Sequence, residues 1–163
     1  MQVKSHPPLP VLIQVKSLSG REDGGYKVTQ PWDYNLRIAY FLLSQKNAIL
    51  FDIRTHKEFC TGHLCGAINI DTPIPTPTLD KKKKEILRKK FIDILTAQPL
   101  IRPIIVYCQK GKRSNIATNI LMQLGFKQVV DLGGVDMPPL NTVMTRKIKL
   151  PYLKVCDCTP PKK

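Results

Sequence analysis

In this 163-residue chain, the residues best suited to chemistry form one short run, Cys108-Gln109-Lys110-Gly111-Lys112-Arg113-Ser114. A thiol acts as a nucleophile in its ionised form, so what surrounds a cysteine decides whether it can react. This run surrounds Cys108 with groups that favour negative charge. Lys110, Lys112 and Arg113 are cationic, Gly111 gives the backbone a conformation that other residues avoid, and a helix beginning near Ser114 would aim its positive end at the sulfur. A cysteine more often serves as a small buried apolar residue, and Cys60 and Cys65 are read that way. Cys108 has polar and charged neighbours instead, and is the candidate nucleophile. Gln109 to Ser114 are the candidate binding residues.

Such a loop needs rigid elements on both sides. Ile104-Ile105-Val106-Tyr107 is a continuous apolar run, as expected of a strand buried on both faces, and it delivers Cys108 at its carboxyl end. Ile116, Ala117, Ile120, Leu121 and Leu124 then follow helical spacing up to Gly125. The same alternation recurs along the chain. Leu36, Ala39, Tyr40 and Leu43 predict a helix over about residues 34–45 with Asp33 as its cap, followed by a buried strand at Ala48–Ile53. Thr55-x-x-Glu58 is a capping-box pattern for a short helical turn. Ala67–Ile70 reads as a strand, the three prolines between Asp71 and Thr78 as a loop, and Gln128–Leu132 as a further strand. Leu87, Phe91, Ile94 and Leu95 give one apolar stripe to a helix otherwise covered in lysine. Strands alternating with helices imply right-handed crossovers and an open, mainly parallel α/β sheet with helices on both faces. In such sheets the site lies beyond the carboxyl ends of the strands, which is where Cys108 falls.

Two ordered motifs resemble the rhodanese (sulfurtransferase) domains. Leu50-Phe51-Asp52-Ile53-Arg54-x3-Glu58-Phe59-x2-Gly62-His63-x2-Gly66-Ala67-Ile68-Asn69-Ile70 is similar to that family's first motif. Ile105-Val106-Tyr107-Cys108-x2-Gly111-x-Arg113-Ser114 is similar to its active-site loop. The resemblance covers about residues 32–136. It implies a rhodanese-like fold in which Cys108 takes the outer sulfur of a small anionic donor such as thiosulfate, holds it as a persulfide and passes it to a thiol, protein or cyanide-like acceptor. It also implies that Lys110 and Arg113 hold the donor's oxygens and that the amides of residues 109–114 cradle the sulfur. Asp52, Arg54, Glu58 and His63 match family positions too; charged groups there can serve as caps and structural hydrogen-bond partners and are read that way, with Arg54 the exception expected to reach the substrate because it follows a strand's carboxyl end. No cofactor is implied. A cysteine-dependent phosphatase is the alternative enzyme, but four residues separate Cys108 from Arg113 where the related phosphatases use five. A noncatalytic adaptor module is the alternative outside enzymes, and retention of Cys108, Gly111 and Arg113 argues against it. The expected organisation is an N-terminal extension over 1–31, the rhodanese-like domain over 32–140 and a basic, Pro-containing tail over 141–163.

The formal charge of +14 is concentrated in two segments, residues 80–90 and 142–163, each with a net +5. Basic surface of this kind favours anionic partners, with nucleic acid a possible one, although a solvated lysine face is the commoner origin and no aromatic-interleaved motif accompanies it. The five cysteines are an odd count at irregular spacing, so reduced thiols and a cytoplasmic location are expected. Cys156-x-Cys158 reads as two thiols in a mobile tail, with a sulfur acceptor or resolving pair as the functional alternative. Cys60-x4-Cys65 with His56 and His63 is looser than the usual zinc spacing, so no metal is expected. No apolar run approaches the roughly 18 residues of a membrane span, so no membrane association is expected.

Overall fold

A computed structural model of the chain describes residues 34–75, 79–145 and 151–159. The expectations for residues 1–31, for Asp33 as a cap and for parts of the basic tail lie outside these residues. In chain order the elements are α1 (Tyr34–Ser44), β1 (Ile49–Asp52), α2 (His56–Thr61), β2 (His63–Leu64), β3 (Ile68–Asn69), α3 (Lys81–Leu95), β4 (Ile104–Cys108), α4 (Lys112–Gln123), β5 (Val129–Gly134), α5 (Leu140–Met144) and β6 (Val155–Cys156).

Strands β3, β1, β4 and β5 lie side by side in that order as one parallel sheet. Its inner strand β4 reads as an unbroken apolar run because helices cover both faces. Successive side chains point to opposite faces of a strand, and the packing follows that alternation. Leu50, Ile105, Tyr107 and Val130 pack against Leu36, Ala39 and Leu42 of α1 and Leu140 and Val143 of α5. Phe51, Ile104, Val106 and Val129 face the other way, onto Leu87, Phe91 and Leu95 of α3 and Ala117 and Leu121 of α4. The buried row on α3 follows i, i+4, i+8 and leaves Ile94, expected on the same stripe, 43% exposed. By the same period of two, Cys108 shares the face of Ile104 and Val106, which puts its sulfur beneath the first turn of α4.

The helix starts are chemically defined. Thr55 and Glu58 form the capping box reciprocally at the head of α2, and the Asp80 side chain accepts the Lys83 amide at the head of α3.

The carboxyl-terminal residues correct the sequence reading. Residues 151–159 are docked: Leu153 is buried in the α1-side core, the Tyr152 ring meets Tyr40 edge-on, and β6 pairs antiparallel with β2, His63 opposite Cys156 and Leu64 opposite Val155. That pairing brings Cys60 to Cys158 and Cys65 to Cys156 with Cα separations of 4.7 and 5.0 Å, and both pairs are disulfide-bonded. The expectation of reduced thiols is therefore overturned. Cys60 and Cys65 are not small core residues, and Cys156 and Cys158 are not thiols in a mobile tail. The sulfurs that a zinc site would have used are all bonded to one another. Among the described residues, no helix is long and apolar enough to cross a membrane.

Candidate active site

Cys108 is the one cysteine outside the disulfides, and it is fully buried at the end of β4. Its sulfur sits in a nest of donors. The Gly111 amide donates to Sγ at 3.1 Å and the Ser114 amide at 3.2 Å, while the thiol's proton is directed at the Ser114 Oγ, 3.4 Å away. Gly111, at φ +100°, makes the turn that aims its own N–H at the sulfur, and α4 begins at the next residue. The partial positive charge of a 12-residue helix thus adds to two converging amides.

The loop is clasped from the β5 side. A register irregularity between Val106 and Cys108 sets Cys108 opposite Gly134, and the Val135 and Asp136 amides then donate to the carbonyls of Cys108 (2.9 Å) and Gln109 (3.1 Å). The approach is close enough that a Cβ on Gly134 would lie 2.6 Å from the Lys110 Cα and meet the Gln109 carbonyl as well. Bulges of this kind commonly re-aim backbone beside active sites.

The charged side chains form two anchors. Arg54, 2% exposed, donates from Nε to Asp52, from Nη2 to Asp52 Oδ2 and the Gly62 carbonyl (2.7 Å each), and from Nη1 to Gln109 Oε1 at 3.0 Å. Burial works against its charge, but hydrogen bonding to Asp52 and the field of that carboxylate outweigh it and raise the guanidinium above its ordinary value. Arg113, 4% exposed, makes a bidentate pair with Glu58, Nη1 to Oε1 at 2.8 Å and Nη2 to Oε2 at 3.1 Å, and also donates to the Thr72 carbonyl. Burial opposes the Glu58 charge too, yet the Arg113 hydrogen bonds and the Thr55 cap hold its carboxyl down at about 2. Tyr107, a β4 residue buried on the α1 face, is pushed well above its ordinary range by burial and by Asp52, and its neutral hydroxyl accepts the Leu64 amide.

The structure brings Arg54 and the candidate residues from Cys108 to Ser114 to one place, in different postures. Cys108, Gly111 and Ser114 meet at the sulfur. Arg54 and Arg113, expected to reach substrate, turn away from it onto Asp52 and Glu58, because a buried guanidinium needs a carboxylate more than a loop needs a third cation. Gln109 bridges, its Oε1 accepting from Arg54 and its Nε2 donating to Asp136 Oδ1 at 2.7 Å. Lys110 reaches the other oxygen of Asp136 at 3.1 Å in an exposed pair, and these two contacts, Gln109 first, hold the Asp136 carboxyl below its usual range. Lys110, Gly111 and Lys112 also line a cavity of about 530 Å³ with Gly133, Gly134 and Met137. Asp136 as the tie between Gln109 and Lys110 was not read from the sequence. Its place two residues after Gly133-Gly134 carried no signal without the fold.

A parallel α/β sheet whose central strand ends in a cysteine, enclosed by the amides of a short loop entering a helix, defines a thiol-centred α/β domain. The family model of the rhodanese-like domain matches residues 38–136, and the chain belongs to that family. Thiosulfate sulfurtransferase 16, chloroplastic, of Arabidopsis thaliana is 34% identical over 104 residues, 64% of this chain and 82% of that protein. Thiosulfate sulfurtransferase 18 of the same plant is 35% identical over 111 residues, 61% of this chain and 76% of that one. A tRNA uridine(34) hydroxylase of Buchnera aphidicola is 34% identical over 93 residues, 57% of this chain but 27% of its own length.

Proposed function

We propose that the protein is a rhodanese-type sulfurtransferase working through a persulfide on Cys108. The observation that carries this reading is the nest at the sulfur, in which two amides and a helix start converge on one atom while the nearby guanidinium groups are engaged elsewhere. The Cys108 thiolate attacks the outer sulfur of an anionic donor such as thiosulfate. A new S–S bond forms, the donor's own S–S bond breaks, and sulfite departs with the electron pair. An acceptor thiolate, or cyanide, then attacks the outer sulfur of the persulfide and leaves Cys108 as thiolate again. The Ser114 hydroxyl, which lies against Sγ, can turn its proton to the sulfur when the charge returns.

In this reading Lys110 and Lys112 draw the anion to the loop, the amides from Gln109 to Ser114 hold the sulfur, and Arg54 and Arg113 fix the loop without touching the donor. A phosphatase would need the guanidinium to face the transferred group, and Arg113 faces Glu58. Two disulfides persist where the surroundings are oxidising, which weighs against the cytoplasmic location expected from the sequence. The test is intact-mass spectrometry after incubation with thiosulfate, beside a Cys108→Ser variant. A gain of one sulfur in the parent alone, removed by cyanide, supports the reading. No gain in either protein overturns thiosulfate as the donor.

A further inference from the structure

The disulfides differ in their surroundings. Cys65–Cys156 is built into the β2–β6 pairing: Cys156 sits opposite His63 in the ladder, the Cys65 amide donates to the Lys154 carbonyl at 2.8 Å, and both residues are half-buried. Cys60–Cys158 lies beyond the end of that ladder. Cys158 is exposed, and the one backbone bond there, from the Cys158 amide to the Cys60 carbonyl, is 3.4 Å long. In addition, His56 Nε2 lies 3.4 Å from the Cys60 sulfur, one turn back on α2. A disulfide sulfur carries no proton, so in any hydrogen bond at this contact the imidazole N–H is the donor.

We propose that Cys60–Cys158 is a second, redox-active site that exchanges with an external dithiol, while Cys65–Cys156 remains closed and keeps β6 in place. The dithiol's thiolate attacks the exposed Cys158 sulfur and forms a mixed disulfide. The Cys60–Cys158 bond breaks with its electron pair on the Cys60 sulfur, which the His56 N–H stabilises by hydrogen bonding and which takes a proton from solvent. The dithiol's second sulfur then gives up its proton and attacks the dithiol's own sulfur in the mixed disulfide, and Cys158 departs with the electron pair and takes that proton. Two electrons pass from the dithiol, now a cyclic disulfide, to the protein, now with thiols at Cys60 and Cys158. Exchange is faster where the attacked sulfur is accessible and the leaving thiolate is stabilised, and this bond has both features. Its opening removes a tether from α2, the helix that carries Glu58 to Arg113.

The test reads thiols, not sulfur transfer, so it stands or falls apart from the proposed function. The full-length oxidised protein is exposed to dithiothreitol under native conditions, quenched by alkylation at intervals and mapped by peptide mass spectrometry. Labelling of Cys60 and Cys158 should run about tenfold or more ahead of Cys65 and Cys156. Opening of Cys65–Cys156 first, or of both bonds together, overturns the proposal. A His56→Gln variant, on an exposed position, should slow opening of Cys60–Cys158 about three- to tenfold and leave Cys65–Cys156 unchanged. Equal rates with and without the imidazole remove His56 from the site.

Discussion

The Cys108 loop is held by groups from adjoining strands and the helix it enters, whereas β6 is held to β2 by bonds between cysteines 91 and 98 positions apart. At the loop, backbone amides from residues 111, 114, 135 and 136 fix the sulfur and the carbonyls around it. At the clamp, a two-residue ladder would be marginal without the covalent ties. Amides placed by a buried sheet give the positional precision that chemistry needs. Disulfides give a segment a place without much precision, and the two regions should therefore fail differently when altered.

The largest effect is expected at the clamp and should appear in stability alone. The bonds are nested, so the first to form closes a loop of some ninety residues and the second closes only the short remainder. Loop-closure entropy gives about 4 to 5 kcal/mol for the first and about 2 kcal/mol for the second. Replacing Cys65 and Cys156 by Ser should thus cost about 2 kcal/mol while the other bond remains, and replacing all four cysteines about three times as much. Urea unfolding of the three proteins measures this. A loss of about 4 to 5 kcal/mol in the Cys65→Ser, Cys156→Ser protein would break the nested account, and loss of sulfur uptake in that still-folded protein would tie the clamp to the chemistry.

Next in size is Glu58→Gln, which lies between the two regions. It leaves Arg113 buried beside a neutral amide, and losing a charge-assisted bidentate bond should cost about 2 to 3 kcal/mol at neutral pH. Glu58 has its carboxyl depressed to about 2 from an ordinary 4.5. The stability it contributes is therefore present above 4.5 and lost as pH falls toward 2. The variant and parent should converge over that window in acid unfolding curves, and a constant gap between them would show that the charge on Glu58 is not what holds Arg113.

Gly134→Ala should cost about 1 to 3 kcal/mol, since the new methyl meets backbone that has to shift. Unlike the clamp variants it should also lose most of its persulfide yield, because what moves is the Gln109–Lys110 backbone of the cradle. A full yield in the mass spectrum would mean that the cradle adjusts to the added methyl.

Much of this contrast was visible before folding, and for a physical reason. β4, α4 and the Cys108 loop are contiguous in the chain, so buried-strand runs, a helical stripe and a turn glycine announce them locally. The capping box at Thr55 and Glu58 was equally local. The side of the loop that Arg113 faces was not, because its partner lies 55 residues away and either carboxylate or substrate would satisfy the same fork. The disulfides had a weaker signal. Once Cys108 is set apart as the candidate nucleophile, four cysteines remain, and Cys156-x-Cys158 on an extended segment puts two sulfurs on one face, spaced to meet two partners. Counting all five together concealed that even number.

The smallest effect is expected at the rim. Lys110 is exposed, with its side chain 75% accessible, and its pair with Asp136 should contribute less than about 1 kcal/mol, so Lys110→Ala should leave unfolding nearly unchanged. Its value lies in the field it adds to the loop. If that field only steers the anion, sulfur uptake from thiosulfate should slow about two- to fivefold at low ionic strength, and the difference should vanish near 1 M salt, where the screening length is about 3 Å. A deficit that persists at high salt would instead place the ammonium group in direct contact with the donor. Lys110 would then belong with the amides at the sulfur, and the loop's precision would extend to its exposed edge.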